Sequence, residues 1–141
     1  MMTSGRTMAW ALALAGLIPF VGCAALAAWG GPHRELWLFA LLGYAAVILS
    51  FLGGTRWGAA LASGSPDPVT LALSNAPALV AWAALLPLPL SDPIRLGVVS
   101  AGLASMWLWD RRRPPAWYPA LRTVATIGAL FSLGLAVVVS V

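Results

Sequence analysis

The chain has 141 residues, of which 61% are hydrophobic and 9% charged, with a mean hydropathy of +0.90. A soluble domain carries about 25% charged residues, so these few charges cannot coat a water-facing surface, and the outside of the fold must meet lipid. Eight Arg and no Lys give a pI of about 10.7, yet most of the Arg flank apolar stretches, which assigns them to membrane interfaces and excludes a solvated nucleic-acid-binding face.

Five apolar stretches predict an all-α integral membrane bundle of about five transmembrane helices, forming a single domain over residues 1–141. The first covers residues 7–29, behind a polar start with Arg6. Arg6, the apolar run and Phe20-Val21-Gly22-Cys23 also resemble a lipoprotein signal cut before the cysteine. The apolar run continues to Trp29, however, which makes a full span, and an uncut helix is the expectation. Cys23 is the single cysteine, so neither an intrachain disulfide nor a CxxC pair can form.

The second stretch, 35–61, ends in Ser50-Phe51-Leu52-Gly53-Gly54-Thr55-Arg56-Trp57-Gly58. Gly53, Gly54 and Gly58 are expected to let another backbone approach closely. Arg56 places a permanent charge at the membrane boundary, where it either snorkels to phosphate or turns inward to a buried acceptor or anionic ligand. The third stretch, 68–88, opens with Asp67 as N-cap before Pro68. Within it Pro77 leaves the carbonyl of Leu73 without its helical donor, and the amide of Asn75 needs a partner inside the bundle.

Pro87, Pro89 and Pro93 make the next link a tight hairpin, with Asp92 read as the N-cap of the fourth stretch, 93–109. At 17 residues this helix is the shortest of the five. The following link holds Asp110, Arg111, Arg112, Arg113, Tyr118 and Arg122 before and into the fifth stretch, 119–141. The triple Arg reads as a topology anchor, whereas Asp110 and Arg122 bracket the link, a placement that allows them to face each other across adjacent helices. Small residues at Gly97/Ala101/Ser105 and Gly128/Ser132/Ala136 read as packing stripes.

Seven of the eight Trp fall near predicted helix ends, as expected of an aromatic belt, and only Trp82 looks deep. Six Arg (Arg6, Arg56, Arg111, Arg112, Arg113 and Arg122) gather on one face against Arg34 and Arg95 on the other. That bias puts the N-terminus in the cytoplasm and the C-terminus outside. The same topology brings Arg56, Asn75, Asp110, Tyr118 and Arg122 to one leaflet as a candidate polar cluster or ligand site.

No catalytic constellation is expected. His33 is the only His and lies in the first link, so neither a Ser-His pair nor a His-based metal site can be assembled, and no cofactor is called for.

Gly16-Leu17-Ile18-Pro19-Phe20, the Ser50-to-Gly58 segment, and Trp117-Tyr118 followed by Leu121-Arg122 together resemble the uncharacterised family called domain of unknown function 3429. The resemblance covers nearly the whole chain. It implies a small multi-helix membrane protein of the bacterial inner membrane, with a mitochondrial transmembrane relative, and it implies no activity. The leading expectation is a non-catalytic protein of the lipid bilayer that packs with another membrane protein or binds anionic lipid through its inner-leaflet cluster. The alternative is a binder or carrier of a tetrapyrrole- or quinone-like small molecule.

Overall fold

Apolar runs become helices in lipid because the backbone there has no hydrogen-bond partner but itself. In the computed structural model, which describes residues 4–141, every regular element is an α-helix: α1 Ser4–Ala15, α2 Leu17–Trp29, α3 Arg34–Ala62, α4 Pro68–Leu85, α5 Asp92–Asp110 and α6 Tyr118–Ser140. α1 and α2 are two halves of one bent rod, so the six segments make a bundle of five helices. Four of these, Ser4–Trp29, α3, α4 and α6, are long and apolar enough to cross a membrane. The remaining one, α5, has 19 residues and carries Asp92, Arg95 and Asp110.

α3 is the central post. It contacts α2, α4, α5 and α6, and it is the most buried of the four apolar spans. Its buried residues are Leu38, Leu41, Leu42, Ala45, Ala46, Leu49, Leu52 and Gly53. Alanines on the neighbouring helices, Ala27, Ala81 and Ala136, are buried against this core and let the axes come close. At Gly53 one backbone lies close against another: a Cβ there would lie 2.6 Å from the carbonyl oxygen of Ser74 and 3.3 Å from the ring of Pro77. Gly54 and Gly58 point into open space and take no part in that contact, contrary to the packing role expected for them. The stripe on α6 packs as expected, with Gly128 against Leu17 and Ser132 and Ala136 buried. On α5 it is Gly102, against Leu49, that faces inward, while Ala101 and Ser105 face out.

The helix ends follow local chemistry. Asp67 caps α4 by accepting hydrogen bonds from the Thr70 backbone N–H and hydroxyl, each at 2.9 Å. α4 stops at Leu85, short of the predicted residue 88, because Pro87 and Pro89 cannot continue it. Trp82 therefore lies in the last turn, exposed, and joins the other seven Trp near helix ends. The N-cap of α5 is Ser91, not Asp92, which occupies the first helical position.

The bend between α1 and α2 centres on Gly16. Pro19 has no N–H to offer the Ala15 carbonyl, and the Gly16 carbonyl accepts a hydrogen bond from the Tyr44 hydroxyl at 2.8 Å. The Phe20 and Tyr44 rings meet edge to face at 5.0 Å. Beyond the bend α1 leaves the bundle: it buries no residue, and it contacts α2 and α6 but not α3.

Candidate functional site

The buried faces of three helices run into charge at the same end of the bundle. On α3 the buried positions Leu38, Leu42, Ala45, Leu49 and Leu52 alternate in steps of four and three, and the next step is Arg56. On α5 the series Leu96, Val99, Leu103 and Met106 continues to Asp110. On α6 the corresponding series starts at Arg122 and runs through Thr126, Ala129, Leu133 and Ala136. Helix register, which puts apolar side chains inside elsewhere, thus carries one acid and two arginines into the interior.

Asp110 is 0% exposed and is the hub. Its Oδ1 accepts from Arg56 Nε at 2.7 Å, and its Oδ2 accepts from Arg122 Nε at 3.2 Å. Arg113 Nη1 lies 3.7 Å from Oδ1. A buried carboxylate is tolerated only when its charge is matched and its lone pairs are taken, and here three guanidinium groups surround one acid. Arg56 also donates through Nη2 to the Trp109 carbonyl, a C-terminal acceptor of α5, and its guanidinium lies 4.5 Å from the Trp109 ring centroid. Arg113 donates to the Thr55 hydroxyl at 3.3 Å and the Thr55 carbonyl at 3.2 Å, which ties the α5–α6 link to α3. Three arginines on one carboxylate leave two positive charges in excess.

Of the five residues expected to cluster, Arg56, Asp110 and Arg122 form the ionic core. Tyr118 joins them at one remove, with the Arg113 guanidinium 5.6 Å from its ring centroid. Asn75 does not come near. It is exposed, and its amide donates to the Leu71 carbonyl of its own helix at 2.8 Å. The inward face of α4 runs through Ser74, Pro77, Ala81 and Ala84, and one residue further round the helix Asn75 looks outward. Arg113, expected as part of a topology anchor and not of the cluster, is a member, and the signal was its place three residues from Asp110.

Beside the cluster lies an apolar cavity of about 500 Å³, walled by α1, α2, α3 and α6, with Leu103 contributed by α5. Leu12 and Ala13 face it from α1, Phe51 and Thr55 from α3, and Trp117 and Arg122 from the α6 side. Arg122 donates to Thr126 through Nη1 at 3.3 Å, while its buried Nη2 has no hydrogen-bond partner among the described residues. The described residues lining the cavity include no His, Cys or Met, and nowhere among the described residues do three or more His, Cys, Asp or Glu gather.

The opposite end is built differently. Arg95 donates to the carbonyls of Ala84 (2.8 Å), Leu86 (2.7 Å), Leu88 (2.6 Å) and Leu90 (3.2 Å), wrapping the α4–α5 link around one guanidinium.

The family described as "Protein of unknown function (DUF3429)" matches residues 5–138. Among curated proteins, Transmembrane protein 69 of Xenopus tropicalis is 42% identical over 127 residues, covering 86% of this chain and 50% of that protein. Transmembrane protein 69 of Mus musculus is 36% identical over 126 residues, covering 86% and 51%. The chain therefore spans about half the length of these relatives. No solved structure matches.

Proposed function

Because this chain belongs to the DUF3429 family, a multi-pass membrane family whose description carries no activity, we propose its role from the site: a non-catalytic membrane protein that holds an anionic lipid headgroup at its arginine-rich end. The observation that carries this reading is the sharing of Asp110 by Arg56, Arg113 and Arg122, which leaves positive charge in excess at one end of the bundle, the kind of charge that attracts lipid phosphates. Exposed Arg111 and Arg112 extend it outward. The donors suit binding rather than turnover, since a guanidinium does not give up its proton at physiological pH, and Asp110 is already engaged by its neighbours.

In this reading α5 crosses the bilayer as well. The arginine-rich end faces the cytoplasm of a bacterial inner membrane, with the N-terminus inside and the C-terminus outside. A cysteine placed at Ser65 should then be shielded from an impermeant maleimide in intact cells, and one placed at His33 should be labelled; the reverse pattern would invert the topology.

Headgroup recognition is tested by melting the purified protein in neutral detergent. Anionic lipid should raise the melting temperature more than zwitterionic lipid with the same chains, and Arg56→Gln combined with Arg113→Gln should shrink that difference. Equal shifts with both lipids, or an undiminished difference in the variant, would sink the reading.

A further inference from the structure

α1 is an amphiphile's neighbour without an amphiphile's burial. It consists largely of apolar residues, none of them buried, and it stands over the 500 Å³ cavity while making no contact with α3. The cavity, and not direct packing, therefore fills the space between α1 and α3. Along α3 the cavity runs from Tyr44 to Thr55, about 16 Å at the helical rise of ~1.5 Å per residue. That is one leaflet's share of a hydrocarbon core of about 30 Å. One end is closed by the Tyr44–Phe20 ring pair at the bend, and the other reaches Thr55, Trp117 and Arg122 beside the ionic cluster.

We infer that this groove seats one acyl chain of an anionic membrane lipid, with the head at Arg122 and the chain running beneath α1 toward Tyr44. The inference rests on the lipid reading of the arginine-rich end and adds where the chain goes. Three observations select this occupant. The wall is almost wholly apolar, which suits a chain and not a solvated ligand. The cluster next to it carries two positive charges in excess, which suits an anionic head. Arg122, a wall residue that is 5% exposed, keeps one buried donor, Nη2, without a partner, and a head oxygen is the acceptor that donor lacks. Leu12 and Ala13 of α1, which are not buried, then form the fourth wall of the filled site.

A free fatty acid and an anionic phospholipid share this chemistry, and the experiment separates them. Wild type and Ala125→Phe, whose ring projects from α6 into the groove, are melted in neutral detergent with phosphatidylglycerol of long and short chains, with phosphatidylcholine of the same chains, and with a long-chain fatty acid. The wild type should be stabilised more by long than by short chains, and Ala125→Phe should lose that chain-length dependence while still distinguishing anionic from zwitterionic lipid. A response to fatty acid equal to that of long-chain phosphatidylglycerol assigns a single-chain ligand, and a response to phosphatidylglycerol alone assigns the phospholipid. Chain-length dependence that survives unchanged in Ala125→Phe would overturn the inference. Should that variant fail to fold, Ala13→Phe on the exposed α1 makes the same test from that side. Loss of charge discrimination in both proteins, with the chain-length result intact, would remove the headgroup reading and leave the groove standing.

Discussion

At one end of the bundle three arginines, Arg56, Arg113 and Arg122, share the Asp110 carboxylate, whereas at the other a single arginine, Arg95, spreads its donors over four backbone carbonyls. Both arrangements satisfy polar groups at an end of the bundle, but their hubs have opposite sign. Where the hub is an acid, one substitution strands several charges at once. Where the hub is a base, the acceptors are main-chain atoms that no substitution removes, and loss of the donor frees only a link. The first end is therefore the brittle one, and it is also the one with positive charge in excess.

The largest expected effect tests that brittleness. Asp110→Asn should destabilise the protein by about 3–5 kcal/mol, the usual cost of removing one partner of a buried ion pair, read as a fall in melting temperature in detergent. Arg56→Met, Asp110→Leu, Arg113→Met and Arg122→Met combined should recover much of that loss, since replacing a whole buried cluster by apolar groups is often neutral. Failure to recover would mean that Asp110 acts through shape and hydrogen bonding rather than charge balance.

Gly53 sharpens the comparison by asking how much the ionic end depends on backbone approach one turn away. Gly53→Ala puts a methyl group 2.6 Å from the Ser74 carbonyl, and overpacking of this kind costs about 1–3 kcal/mol. Gly54→Ala meets open space and should cost nothing, gaining instead from better helix propensity. Equal losses at the two positions would place the strain in the helix itself rather than in the α3–α4 contact.

At the other end Arg95→Met should cost about 1–2 kcal/mol, a fraction of four hydrogen bonds whose acceptors can turn to water or lipid headgroups. Amide exchange over residues 86–91 should quicken while α3 stays protected. Arg95→Lys should restore little, because a point charge cannot reach the four carbonyls that a fork does. A loss as large as that of Asp110→Asn would erase the distinction between the two ends.

What could be read from the sequence follows the same division between position along a helix and rotation about it. Apolar length and Asp-Pro or Pro-rich breaks located the five helices, and the Arg bias brought Arg56, Asp110 and Arg122 to one end. Depth along the axis also suggested Asn75, but depth is blind to rotation, and the face that α4 buries passes through Ser74 instead. The same blindness gave Gly54 and Gly58 the role that Gly53 alone performs. The three-and-four spacing that ends in Arg56 and Asp110 held the missing rotational information. The bend at Gly16 and the cavity beneath α1 depend on a contact between Tyr44 and Gly16, 28 residues apart, which no local pattern reveals.

The smallest effect concerns acidity and separates a carboxylate cap at the ionic end from the carbonyl wrap at the other. Asp67 accepts hydrogen bonds from the Thr70 backbone N–H and hydroxyl, and these hold its carboxyl below the ordinary value of 3.8. A depressed folded-state pKa means that the cap's contribution is fully present above the unfolded pKa and is lost as the pH falls through the folded one. Amide exchange at Thr70 and Leu71 should therefore stay slow at neutral pH and quicken, relative to the rest of α4, only below about pH 4. Asp67→Asn keeps an acceptor for the Thr70 amide and should remove the pH dependence, while Asp67→Ala should exchange quickly at every pH. The Arg95 end, whose acceptors are backbone carbonyls that do not titrate, should show no such step. A step there, or none at α4, would mean that the cap and the carbonyl wrap do not account for how the two ends are fastened.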